Sequence, residues 1–126
     1  MNRKILVIED DMDIAELVKL VLETEAYTVE SVLDPLAAVE KAKSYKPDAI
    51  LLDLSMPKID GWEIFKRLRK DKDFDTVPIA ILTAKSEEFD TMVGLHVMNA
   101  DGYITKPFGK HELIDKINEL FKKGKK

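Results

Sequence analysis

The sequence has 126 residues, 45% hydrophobic and 35% charged, which suits one compact core and leaves no room for a second. A formal net charge of −4 argues against a nucleic-acid surface over the body of the domain, and the absence of cysteine excludes disulfides, thiolate metal sites and a thiol nucleophile. The apolar run Ile5–Ile8 is too short for a signal peptide and no stretch nears the ~18 apolar residues of a membrane span, so a soluble cytoplasmic protein with no membrane partner is expected.

Five short apolar runs alternate with five amphipathic segments, the pattern of a parallel sheet covered by helices on both faces. The first run, Lys4–Ile8, is apolar without alternation, as in a strand buried on both sides. A helix follows with Ile14, Leu17, Val18, Val21 and Leu22 on one stripe, Asp13 placed to cap it and Glu16 three residues on. The second strand is Thr28–Val32, and Asp34-Pro35, a capping residue before a proline at the first helical position, opens the second helix. Ala49–Leu52 is the third strand. Helix three begins at Asp60-Gly61-Trp62-Glu63 and offers Ile64, Phe65 and Leu68 to the core.

The fourth strand is read as Val77–Leu82. After it, residues 87–98 carry Phe89, Met92, Val93 and Leu95 on an irregular stripe interrupted by Gly94, which weakens a helix by about 1 kcal/mol relative to alanine and marks it as the element expected to move. Gly102–Thr105 is the fifth strand, and the last helix repeats Leu113, Ile114, Ile117, Leu120 and Phe121 along one face. The expected architecture is therefore α/β, a single (βα)5 domain over residues 1–122 with a basic tail at 123–126. The lysines at 122, 123, 125 and 126 read as solvated cations at the negative end of the last helix.

In an open parallel sheet, ligands bind beyond the carboxyl ends of the strands, where strand order reverses. Glu9, Asp10 and Asp11 follow strand one, Asp53 strand three, Thr83 strand four, and Lys106-Pro107 strand five. With strand order 2-1-3-4-5, Glu9, Asp10 and Asp53 converge, and carboxylates so placed repel unless a cation joins them. All-oxygen ligands in small number on a rigid edge suit magnesium, whereas calcium wants more oxygens and no EF-hand loop is present. Each residue alone has a plainer reading: acids at a helix N-terminus, an aspartate in a turn, a surface lysine, a strand-end hydroxyl.

The segments Lys4-Ile-Leu-Val-Ile-Glu-Asp-Asp11, Leu51-Leu-Asp-Leu-Ser-Met-Pro57, Asp60-Gly61, Ile81-Leu-Thr-Ala84 and Tyr103-Ile-Thr-Lys-Pro-Phe108 resemble, in order, the signature regions of bacterial and archaeal response-regulator receivers, the chemotaxis-regulator-like proteins of two-component signalling. The resemblance implies a flavodoxin-like three-layer sandwich and a phosphoprotein of the phosphorelay type, not a turnover enzyme, that catalyses only its own phosphorylation and slow dephosphorylation. It implies that Asp53 accepts a phosphoryl group from a sensor histidine kinase or phosphotransfer protein. Mg2+ would be held by Asp10 directly, by Glu9 often through water, by Asp53 and by the backbone carbonyl of Ser55. Thr83 and Lys106 would contact phosphoryl oxygens, and Tyr103 would be the rotating aromatic of a switch. The Lys106-Pro107 bond is cis in that family.

The switched surface, made by helix four, strand five and helix five, would recruit a downstream protein or a second copy of the chain as a homodimer, with no nucleic acid bound by this domain. Glu9 stands where an aspartate is common in the family, and Ser55 and Lys85 occupy positions that tune phosphate lifetime. No stretch is left for an output domain, which favours a free-standing regulator or a receiver belonging to a longer chain. Three other readings compete, one of them a receiver degraded to a scaffold, against which the intact five-residue set argues. Asp11-Met12-Asp13 matches the Asp-x-Asp of haloacid-dehalogenase phosphatases, though no cap domain is present. A flavin carrier on the same fold would need a glycine- and hydroxyl-rich phosphate loop after strand one, where three acids stand instead.

Overall fold

In the computed structural model, which describes residues 2–54, 61–84 and 100–124, five strands form one parallel sheet. They are β1 (Lys4–Ile8), β2 (Thr28–Val32), β3 (Ala49–Asp53), β4 (Ile79–Ala84) and β5 (Gly102–Lys106), in the order β2-β1-β3-β4-β5. The described helices are α1 (Met12–Glu23), α2 (Ala38–Tyr45), α3 (Gly61–Lys70) and a C-terminal helix (Lys110–Gly124). The expected helix at 87–98 lies outside the described residues.

Strand alternation divides the core into two layers. Ile5, Val7, Ala49, Leu51, Ala80, Leu82 and Ile104 face α1 and the C-terminal helix, meeting Val18, Leu22, Leu113, Ile117 and Leu120. The intervening residues Leu6, Ile8, Ile50, Leu52, Ile79 and Ile81 face α2 and α3, meeting Ala38, Ala42, Ile64, Phe65 and Leu68. Both faces of the sheet are thereby covered, which is why these strands read as continuous apolar runs.

Several local readings need correction. β4 runs from Ile79 to Ala84 and not from Val77 to Leu82: the Val77 N–H turns back to the Phe74 carbonyl, Pro78 has no N–H for a ladder, and Thr83 and Ala84 pair with Thr105 and Lys106. β3 and β5 likewise each run one residue further, taking in Asp53 and Lys106. The cap of α1 is Asp11, whose backbone is still extended and whose carboxylate accepts the Asp13 and Ile14 N–H groups at 2.9 and 3.3 Å; Asp13 is already inside the helix. Asp34 does cap the next element, but Pro35–Ala37 forms a 3-10 turn before α2 begins at Ala38. The α1 stripe is also narrower than its periodicity suggested, since Leu17 is 48% exposed while Ala15 is buried in its place.

Candidate functional site

The topology decides which acids meet. Ile8 is paired with Leu52, so the residues that follow, Glu9 and Asp53, stand side by side where β1 and β3 end. Both share the side of the sheet occupied by Val7 and Leu51, as the twofold alternation requires. Asp10 joins them: Glu9, Asp10 and Asp53 each offer an oxygen within 4.8 Å of the others. Glu9 and Asp53 are buried, and Asp10 reaches solvent.

Lys106 closes the pocket from β5. Asp53 is level with Leu82, and Leu82 with Ile104, so the Lys106 backbone stands two residues higher and its stem leans back over β4. Its Nζ lies 3.1 Å from Glu9 Oε1 and 3.3 Å from Asp53 Oδ2. The contact with Glu9 Oε1 is an ion pair without hydrogen-bond geometry. The other Glu9 oxygen accepts the Asp11 N–H at 3.1 Å. The Lys106-Pro107 peptide is cis.

Burial, followed by the hydrogen bond and the charge of Asp53, pushes the Glu9 carboxyl up from 4.5 to about 7; the Asp11 N–H and the Lys106 ammonium oppose this without cancelling it. Burial alone would lower Lys106, but the carboxylates of Asp53 and Glu9 outweigh it and raise the ammonium above its ordinary value. Three carboxylates face one ammonium, so the pocket carries excess negative charge when all are ionised. An all-oxygen donor set with that excess fits a hard divalent cation.

Thr83 is fully buried on β4, its hydroxyl 3.4 Å from the Ala84 carbonyl oxygen. It follows the alternation of Ile79 and Ile81, and Tyr103, level with Ile81, packs against that same α2/α3-side layer. Thr83 and Tyr103 thus belong to the opposite face from Asp53 and Lys106. Tyr103 is partly buried, with Lys116 Nζ 5.8 Å from its ring centre. Ser55 and Lys85 lie outside the described residues.

Asp11 and Asp13 do not enter the pocket as a pair: the first is spent capping α1 and the second is exposed in its first turn. Gly61 was read from sequence as a helix start and as part of a family signature, with no role given to it in the pocket. A Cβ on Gly61 would stand 2.6 Å from Leu54 Cα and 2.8 Å from the Asp53 carbonyl oxygen, so α3 begins flush against the acceptor strand because residue 61 has no side chain. The Asp-Gly at the helix start was the available signal.

A doubly wound parallel sheet of order 2-1-3-4-5, with acids and a lysine gathered at the carboxyl ends of its strands, defines the CheY-type, flavodoxin-like class. The family model described as "Response regulator receiver domain" matches residues 5–118. The chain belongs to that family: it is a receiver domain of the two-component response-regulator type. It is 42% identical over 124 residues to the alkaline phosphatase synthesis transcriptional regulatory protein PhoP of Bacillus subtilis, covering 98% of this chain and 50% of that protein. It is 42% identical over 120 residues to the response regulator ArlR of Staphylococcus saprophyticus, covering 95% and 53%. The chain spans about half the length of the curated relatives it matches. Among solved structures, a putative response regulator from Chloroflexus aurantiacus superposes with a TM-score of 0.89 at 30% identity, covering 97% of this chain and 99% of that one. The chemotaxis response regulator CheY4 of Vibrio cholerae superposes with a TM-score of 0.87 at 28% identity, covering 95% and 99%.

Proposed function

We propose that Asp53 accepts a phosphoryl group from a sensor histidine kinase or phosphotransfer protein and that the domain signals through the surface around Tyr103. The observation that carries this reading is the convergence of Glu9, Asp10 and Asp53 with Lys106 astride the two buried carboxylates. An Asp53 carboxylate oxygen attacks phosphorus, the bond from phosphorus to the donor imidazole breaks, and its electron pair returns to the imidazole nitrogen. Hydrolysis of the resulting acyl phosphate later releases inorganic phosphate and restores the carboxylate. Lys106, already 3.3 Å from Asp53, neutralises a phosphoryl oxygen, and the Thr83 hydroxyl donates to another.

Glu9, Asp10, Asp53 and the carbonyl of Ser55 are the groups that would hold Mg2+, which when bound offsets carboxylate repulsion and screens the incoming phosphoryl charge. No general base is assigned, in keeping with a domain that labels itself rather than turning over a substrate. A cleft of about 370 Å3 lined by Ile14, Leu17, Pro107 and Phe108 shares Lys106 as a wall with the pocket, and the phosphodonor protein is assigned to this rim.

On the output side, Thr83 moving toward the phosphoryl group vacates space on the α2/α3-side layer that the Tyr103 ring turns to fill. The new surface takes a protein partner or a second copy of this chain. Two relatives are named as transcriptional regulators, one of them as DNA-binding; with a net charge of −4, this domain is not assigned the DNA contact. Residues 1–122 are assigned to the receiver and 123–126 to a basic tail, although the helical backbone continues to Gly124. No described helix is long and apolar enough to cross a membrane, and the cytoplasm is the assigned compartment.

The direct test is intact-mass measurement after exposure to acetyl phosphate and magnesium. One phosphoryl group should add to the wild type and none to Asp53→Ala; an unchanged adduct in Asp53→Ala refutes the acceptor assignment.

A further inference from the structure

The foot of β5, at the opposite edge of the sheet from Asp53, carries a connected set of charged contacts that the phosphoacceptor pocket does not use. Arg69, at the end of α3, donates from Nη1 to the Phe74 and Val77 carbonyl oxygens at 2.9 and 2.7 Å, and from Nη2 to Asp101 Oδ2 at 2.7 Å. The same Asp101 oxygen accepts the Ile79 N–H at 2.8 Å, while the Asp101 N–H donates to the Ile79 carbonyl at 3.1 Å. Arg69 is 22% exposed and Asp101 33%, and the guanidinium carbon lies 5.2 Å from the Phe65 ring centre. One planar cation therefore joins α3, the turn at 71–78, the start of β4 and the residue before β5. A lysine, with a single compact ammonium, has no equivalent fork.

The other end of α3 is fixed as well. Gly61 abuts the Asp53 carbonyl and Leu54 Cα so closely that a Cβ does not fit. α3 is thus seated on the acceptor strand at its N-terminus and clamped to the foot of β5 at its C-terminus. Lys106, at the head of β5, reaches the acceptor directly.

We propose that the Arg69–Asp101 clamp pins the foot of β5, so that a pull on its head at Lys106 is converted into repacking around Tyr103 instead of being lost as a shift of the whole strand. Tyr103 lies two residues above Asp101 and three below Lys106, between the pinned end and the responsive end. A strand held at one end has fewer ways to absorb a displacement at the other, and packed side chains answer by changing between discrete arrangements. Arg69 and Asp101 are positioning residues in this account, and neither contacts the phosphoryl group. The inference rests on the Tyr103 switch described under Proposed function.

The test compares wild type with Arg69→Met, which keeps an apolar stem over Phe65, and with Asp101→Ala and Asp101→Asn. Each is followed by amide exchange and by NMR of the Tyr103 ring, with and without beryllofluoride and magnesium as the phosphoryl mimic. The expected result is at least tenfold faster exchange of the backbone amides at positions 79 and 101 in Arg69→Met, and of the Ile79 amide in Asp101→Ala, with the Tyr103 response to beryllofluoride cut to half or less. Asp101→Asn, which retains an acceptor for the Ile79 N–H, should lie near wild type. Pocket resonances should still shift in every variant, and uptake of phosphoryl from acetyl phosphate should stay within twofold. A full Tyr103 response despite accelerated exchange at the foot, or unchanged exchange in both disruptive variants, overturns the clamp. A wild type whose pocket resonances move while Tyr103 does not refutes the switch itself, and the clamp's role with it.

Discussion

Replacing Glu9 with glutamine should make the metal-free protein more stable at alkaline pH and leave it nearly unchanged at acid pH. The Glu9 side chain is 1% exposed and its carboxyl is pushed up from 4.5 to about 7. The folded protein therefore holds this proton more tightly than the unfolded chain does. The associated stability is complete below pH 4.5, falls as the pH rises, and is gone above about pH 7. The gap between 4.5 and about 7 corresponds, at ~1.4 kcal/mol per pH unit, to roughly 3 kcal/mol. Glutamine keeps the shape and cannot ionise, so Glu9→Gln should escape that loss. For a domain of this length, about 3 kcal/mol is a difference in Tm on the order of 10 °C. Thermal unfolding in a chelator from pH 5 to 8 should show wild type declining and Glu9→Gln staying flat. Saturating magnesium should raise the wild type at pH 8 far more than the variant, because metal binding draws on the ionised carboxylate. Parallel Tm profiles for the two proteins in chelator would refute the assignment of Glu9 as the strained acid of the pocket.

Asp10→Ala should lose most magnesium affinity by titration calorimetry, whereas Asp11→Ala should keep it and lose about 1 kcal/mol of stability in urea unfolding, because Asp11 caps α1. Gly61→Ala should lose about 1–3 kcal/mol and accept phosphoryl more slowly in the intact-mass assay, since its Cβ would stand 2.8 Å from the Asp53 carbonyl oxygen. Lys106→Arg should fold and still be phosphorylated, yet show a weakened Tyr103 shift with beryllofluoride by NMR, because a planar guanidinium does not replace an ammonium lying 3.1 and 3.3 Å from two carboxylates.

The sequence by itself determined a parallel sheet with helices on both faces and the set of acids at its carboxyl edge, while the strand order 2-1-3-4-5 was an expectation that the tertiary structure bears out. Strands such as Ile5–Ile8 and Ala49–Leu52 declare burial on both faces through their own composition, and alternation with amphipathic segments forces parallel crossovers. Once β1 and β3 are neighbours, Glu9 and Asp53 stand side by side, and one of the two acids after Glu9 joins them. The division of labour among adjacent acids was decided only by the tertiary structure. Asp10 and Asp11 are indistinguishable in composition, and only the turn from β1 into α1 sends one to the pocket and the other to the helix amides.

The same holds for the limits of β4, which depend on which residues of β5 lie beside it, and for Leu17, which fits the helical stripe but overhangs the cleft beside Phe108. The Arg69–Asp101 clamp left no trace in local pattern: an arginine ending a basic helix turn and an aspartate ahead of a strand each look like ordinary surface charges. Hydrophobic periodicity is a short-range signal and reports which way a residue faces. Partners separated by 32 positions, as these two are, become neighbours only when the chain has closed its sheet.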